Sequence, residues 1–136
     1  MNINQEAGIK SQGKIKSFTD LNVWKEGHKL VLEIYRITKD FPQEEMFGLT
    51  MQLRRATVSF TSNIAEGFSR ATYKDKANFY SISLGSLSEV QNQLLIAKDI
   101  GLISNQQFQE LAAKTVSLSK MTNGLIKKSR TLIRNS

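Results

Sequence analysis

Cysteine is absent from the 136-residue chain, which rules out a disulfide framework, a thiolate nucleophile and any cysteine-ligated metal, and fits a reducing compartment. Histidine and proline each occur once, as His28 and Pro42. A lone imidazole, with no acids at metal-ligand spacing around it, offers little toward a metal centre or a catalytic relay, so neither a cofactor nor an enzymatic activity is expected. No glycine-rich loop precedes a helix to cradle phosphate. Long apolar runs are missing too. None approaches the roughly 20 residues that span a bilayer, and the opening MNINQEAGIKSQGKIK lacks the apolar core of a signal peptide. These absences point to a soluble cytoplasmic protein with no membrane partner, and the length suits one domain with a single core.

The net charge is +7, and it is unevenly placed. Residues 1–17 hold three Lys against one Glu, residues 18–103 balance ten basic against ten acidic groups, and residues 104–136 hold six basic groups against Glu110 alone. The excess sits in the N-terminal stretch and the last helical pattern, which suits a localised anionic partner better than a general solubility device.

The segment Leu49 to Arg70 carries the strongest pattern. Leu49, Leu53, Ala56, Phe60, Asn63 and Gly67 recur at steps of three or four, the stripe a helix turns toward a core. Met51, Val58 and Ala65 form a second stripe, and small hydroxyl residues fill the gaps, so this helix reads as buried nearly all round and as ending near Gly67 in a left-handed cap.

Before it, residues 1–17 are polar and aperiodic and read as a flexible tail, with the folded domain over 18–136. A first helix, capped by Asp20, runs to Phe41 with Val23, Gly27, Leu30, Ile34, Ile37 and Phe41 on its core side. Trp24, Val31 and Tyr35 lie beside that stripe and Leu21, His28 and Leu32 nearly opposite it, an apolar arc too wide for one side of a monomeric bundle. After the FPQEEMFG connection and the central helix, Thr72 with Asp75 opens a third helix that stops at Gly101, and Ser104 with Gln107 opens a fourth. The third helix has a slim middle of Ser81, Ser83, Gly85, Ser86 and Ser88 that permits close approach to the central helix. Tyr73 and Tyr80 share its core stripe and read as packing residues more than as a base-stacking surface. The fourth carries Phe108, Leu111, Thr115, Leu118, Thr122, Leu125, Ser129 and Leu132 in heptad-like steps. Four long helices joined by short connections, the last two roughly 40 Å or more in length, predict an all-α, antiparallel up-and-down four-helix bundle.

Leu53-Arg54-Arg55-Ala56, Ser59, Asn63-Ile64-Ala65-Glu66-Gly67 and Arg70 form the central motif. With Asp20-Leu21, Val23-Trp24, Phe41-Pro42, Phe47-Gly48-Leu49, Phe79, Gly85-Ser86-Leu87 and Glu89, the chain resembles the bacterial four-helix bundle family encoded within 23S rRNA intervening sequences, over about Phe18 to Ile103. That family is similar in fold to the accessory variability proteins of diversity-generating retroelements, five-fold barrels that bind nucleic acid beside a reverse transcriptase. The resemblance implies a homo-oligomer, a pentamer, with an RNA- or DNA-associated role and a reverse transcriptase or other protein as a further partner.

Three groups of residues stand out as sites. On the fourth helix Lys120, Lys127, Arg130 and Arg134 fall within roughly 80° of one another, away from the apolar seam, and no acid follows Glu110; they are the expected nucleic-acid contacts. Arg54, Arg55, Ser59, Asn63 and Glu66 of the central helix read as a structural polar group that fixes helix register or a subunit contact, with a ligand or nucleic-acid site as the other reading. Leu21, Leu32 and Tyr35 are the expected oligomer contacts. The functional expectation is a non-catalytic oligomeric bundle that binds RNA or DNA with little sequence specificity. Its alternative is a protein-interaction scaffold whose basic last helix docks an acidic partner.

Overall fold

The computed structural model describes residues 14–134, which form four α-helices: α1 (Asn22–Thr38), α2 (Met51–Ser69), α3 (Tyr73–Asp99) and α4 (Asn105–Arg134). Of the expected tail, residues 1–13 lie outside the described residues. Ser17 belongs to a capped 3-10 turn, Phe18–Asp20, in which its hydroxyl accepts from the Thr19 amide. Asp20 does not cap α1 as expected. Its carboxylate turns back to accept from the amides of Lys16 (2.9 Å) and Ser17 (3.1 Å), and those two bonds hold its pKa below the ordinary carboxylate value. The next helix then begins after Leu21 with no side-chain cap.

Cross-helix contacts fix the up-and-down order. Arg54 near the start of α2 meets Thr38 at the end of α1, and Gly27 lies against Phe60 and Thr61. Ser59 meets Ser86, and Gln91 donates to Thr115. Lys114 of α4 returns to Glu33 of α1. All four neighbouring pairs are therefore antiparallel. The core is continuous through Leu30, Ile34, Leu53, Phe60, Ile64, Leu87, Leu94, Leu111 and Leu118, each nearly inaccessible to water.

Several local expectations hold. The Thr72 hydroxyl accepts from the Asp75 amide, and Ser104 and Gln107 exchange reciprocal capping bonds of 2.9 and 3.0 Å. The chain leaves α3 through Gly101 at φ 84°, a left-handed position that glycine occupies without a Cβ clash. Others are corrected. α1 ends at Thr38, so Phe41 is buried from the loop. The chain enters α2 through a wide π turn at Met46–Thr50, where Gly48 leaves helical geometry (φ −111°, ψ −113°).

Gly67 is not a left-handed cap. It lies inside α2, where its missing side chain makes room for the ring of Tyr80. The terminus is closed instead by Lys76, whose ammonium donates to the Phe68 carbonyl at 2.6 Å. Tyr73 is 42% exposed, so of the two tyrosines only Tyr80 is core. Burial pushes the Tyr80 phenol up to about 12. Nor is α2 buried all round: Gln52, Arg55, Val58, Ser62 and Glu66 face outward. On α3 only Ser83 and Ser86 serve the close approach, Ser83 donating to the Phe60 carbonyl at 3.0 Å. Ser81, Gly85 and Ser88 point out.

Candidate nucleic-acid interface

α4 runs 30 residues, about 45 Å at 1.5 Å per residue. Its buried stripe of Leu111, Thr115, Leu118, Thr122, Ile126 and Ser129 packs against the bundle, and the hydroxyls on that stripe are absorbed by its own backbone, as when Thr122 donates to the Leu118 carbonyl at 2.8 Å. The opposite side presents Lys120, Lys127, Arg130 and Arg134 to solvent, as the spacing predicts. None of the four side chains makes a hydrogen bond or ion pair among the described residues, whereas Lys114 is taken up by Glu33. A Cβ added to Gly124, which neighbours these cations, would meet nothing within 4 Å.

The antiparallel order adds what the linear sequence hides. The level of the Ser59–Ser86 contact divides the bundle into two ends. The end built from residues 14–29, 60–85 and 120–134 holds twelve Lys and Arg against four Asp and Glu; the other, from residues 30–59 and 86–119, holds six against seven. Lys14 and Lys16 thus join the α4 cations, as does Lys128, which the helical projection of α4 alone left aside. This distribution concentrates positive potential at one end of the bundle.

The central polar group does not converge. Arg54 donates from Nε to the Thr38 hydroxyl at 2.9 Å and lays its guanidinium 4.6 Å from the Tyr35 ring centre, tying α2 to α1. Ser59 pairs with Ser86 at 2.9 Å, and Asn63 Nδ2 donates to the Ser59 carbonyl at 2.9 Å, which serves the α2–α3 seam. Glu66 meets Arg70 at 2.6 Å on the surface, and Arg70 covers the Phe79 ring at 4.5 Å. Arg55 has no partner among the described residues. Of the expected oligomer contacts, Leu32 and Tyr35 are exposed by 57% and 40%, while Leu21 is buried in the protomer's own core and offers a second chain almost no surface. His28 stacks on Trp24 with centroids 4.8 Å apart. Among the described residues no group of three metal-ligating side chains gathers, and no helix is long and apolar enough to cross a membrane.

The family model of the 23S rRNA-intervening sequence protein matches residues 19–124, most of the described bundle. The chain belongs to that family. A solved structure is similar to this intervening-sequence protein: a protein of unknown function from the S23 ribosomal protein family of Bacteroides thetaiotaomicron VPI-5482, at 21% identity and a TM-score of 0.72, covering 77% of this chain and 95% of that one. At that identity the likeness shows the fold. No curated protein matches the chain. The matched region takes in all of α1 to α3 and stops at Gly124, so Lys127, Arg130 and Arg134 lie beyond the family pattern.

Proposed function

We propose that this intervening-sequence protein is a non-catalytic, self-associating bundle that binds RNA or DNA through phosphate charge, with little base specificity. The observation that carries this reading is the segregation of charge: an end with twelve basic and four acidic groups, crowned by five cations on α4 that are unpaired among the described residues. Cations free of ion pairs can displace the counterions condensed on a phosphate backbone, which is the main source of sequence-independent affinity. Self-association in a ring would set the basic ends side by side and raise the local field.

The test is fluorescence anisotropy on unrelated RNA and DNA oligonucleotides over a salt series. Replacing Lys120, Lys127, Arg130 and Arg134 by Gln keeps a good helix former at each position. It should weaken binding to every sequence alike and make the salt dependence shallower. Unchanged affinity and slope in a folded variant of unchanged assembly would remove α4 from the interface. Saturable binding to one acidic protein, with no affinity for nucleic acid, would favour the scaffold reading.

A further inference from the structure

Tyr73 carries the open aromatic ring of the basic end. It stands at the first position of α3, 42% exposed, and its side chain takes no ring, ion-pair or hydrogen-bond contact among the described residues. Rings elsewhere are covered. Arg54 lies over Tyr35 at 4.6 Å, Arg70 over Phe79 at 4.5 Å, Lys76 over Phe68 at 5.4 Å and Lys98 over Phe108 at 4.7 Å. His28 stacks on Trp24, and Phe18 meets Trp24 edge-on. Tyr35 and Phe47, also exposed, belong to the opposite end, where acids outnumber bases.

The register of α3 on α4 fixes what stands beside this ring. Gln91 donates to Thr115 at 3.0 Å. Tyr73 precedes Gln91 by 18 residues and Ile133 follows Thr115 by 18, and at about 100° per residue that interval is five whole turns. Tyr73 and Ile133 therefore come to one level, on the sides that α3 and α4 turn toward each other, where the bundle ends. Arg130 lies just short of one turn before Ile133, Arg134 follows it, and Lys74 follows Tyr73. All three cations are exposed and none is paired among the described residues. Asp75, the nearest acid along the chain, points about 200° around α3 from Tyr73. The result is a ring and an aliphatic side chain rimmed by positive charge.

We infer that Tyr73 is a stacking platform for an unpaired base, with Arg130, Arg134 and Lys74 taking the phosphates around it, so that the ligand of the basic end is single-stranded RNA or DNA. The inference rests on the nucleic-acid binding proposed above and names the form of the polyanion. Two parts of that ligand separate by their chemistry. Cations meet phosphate in a single strand and in a duplex alike. A duplex keeps its base faces inside the stack, whereas an unpaired base offers a π face to an exposed ring. Every base has such a face, so stacking on Tyr73 adds affinity without adding sequence preference, in keeping with low base specificity. A tyrosine suits the task because its rigid ring has only two side-chain torsions to fix on binding.

Anisotropy titrations of the full chain and of Tyr73→Ala and Tyr73→Phe test this, with labelled single strands of RNA and DNA, the duplex of the same sequence, and an abasic strand that keeps the phosphates. The position is exposed at a helix start, so circular dichroism should show both variants folded. Tyr73→Ala should weaken binding to the single strands that the wild type binds by roughly fivefold to a hundredfold, and leave the duplex and the abasic strand unchanged. The slope of log K against log salt should stay at the wild-type value, since no phosphate contact is lost. Tyr73→Phe keeps the ring and should keep the affinity. An equal loss on single strand and duplex, or on the abasic strand, overturns stacking. Single-strand binding indifferent to Tyr73→Ala overturns the platform and leaves the phosphate-charge reading standing. A wild type without affinity for any of these oligonucleotides overturns both.

Discussion

A methyl group on Gly67 would stand 2.6 Å from Cε1 of Tyr80 and 2.9 Å from Cδ1. Cβ atoms do not come so near a ring, and the Phe79 Cβ would also lie only 3.1 Å away, so the helices must part if the methyl is added. Gly67→Ala should therefore destabilise by about 1–3 kcal/mol, the usual cost of overpacking, although alanine is the better helix former. At Gly85 an added Cβ would meet nothing within 4 Å, so Gly85→Ala should instead stabilise by roughly 0.5–1 kcal/mol. Urea melts of both variants give the two signs.

The same tyrosine sets a limit at alkaline pH. Burial raises its folded pKa from the ordinary 10.0 to about 12, so the neutral phenol is favoured in the fold. The stability it contributes is complete below about pH 10 and is lost as pH climbs toward 12. Lys76 acts in the opposite sense, since burial lowers its pKa and its neutral form gains in the fold. The difference between wild type and Tyr80→Phe isolates the tyrosine. The wild-type melting temperature should fall relative to that of the variant across this window, and a constant difference would remove the assignment.

Arg54 and Glu66 were alike as charges on one polar helix, but their surroundings separate them. Arg54 is half-buried and holds Thr38 and the Tyr35 ring at once. Its loss strands no charge but removes a charge-assisted bond and a stacked guanidinium, worth about 1–3 kcal/mol together. Lysine should not restore it, having no planar fork. The Glu66–Arg70 pair has side chains 48% and 42% exposed, and surface pairs contribute about 0–1 kcal/mol. Glu66→Ala should therefore be nearly silent in a thermal melt, and Arg54→Ala should not.

What the sequence made legible was whatever depends on period and local chemistry. The stripes Val23–Gly27–Leu30–Ile34 and Leu53–Ala56–Phe60 are buried as their spacing requires, and Thr72, Gly101 and Ser104 mark helix ends by hydrogen bonds or backbone freedom confined to a few residues. Illegible was whatever depends on the neighbour across the bundle. Nothing local separates Gly67, which makes room for Tyr80, from a glycine that ends a helix, or Ser83, which bonds the Phe60 carbonyl, from the outward Ser81. The separate partners of the polar group were hidden for the same reason: Arg54 turns to α1, Ser59 to α3 and Glu66 along its own helix. The basic side of α4 was visible in its period, yet its union with Lys14 and Lys16 needs the antiparallel return of the chain.

That union makes a last prediction, that the cations at the basic end divide into structural and binding groups. Lys76 donates to the Phe68 carbonyl at 2.6 Å, lies within 3.5 Å of the Gly67 carbonyl, and sits 5.4 Å from the Phe68 ring centre. Those contacts hold its ammonium at the α2 terminus and leave it little freedom to meet phosphate. Lys127 is exposed and unpaired among the described residues. Lys76→Gln should thus cost stability, about 0.5–1.5 kcal/mol for a lost bond at a helix end, and leave the salt dependence of nucleic-acid binding where it was. Lys127→Gln should do the reverse, keeping the melting temperature and lowering the slope of log K against log salt by about one on duplex DNA. Thermal melts and anisotropy titrations on the two variants decide it. Equal slopes for Lys127→Gln and wild type would place the phosphate contact elsewhere on the basic end.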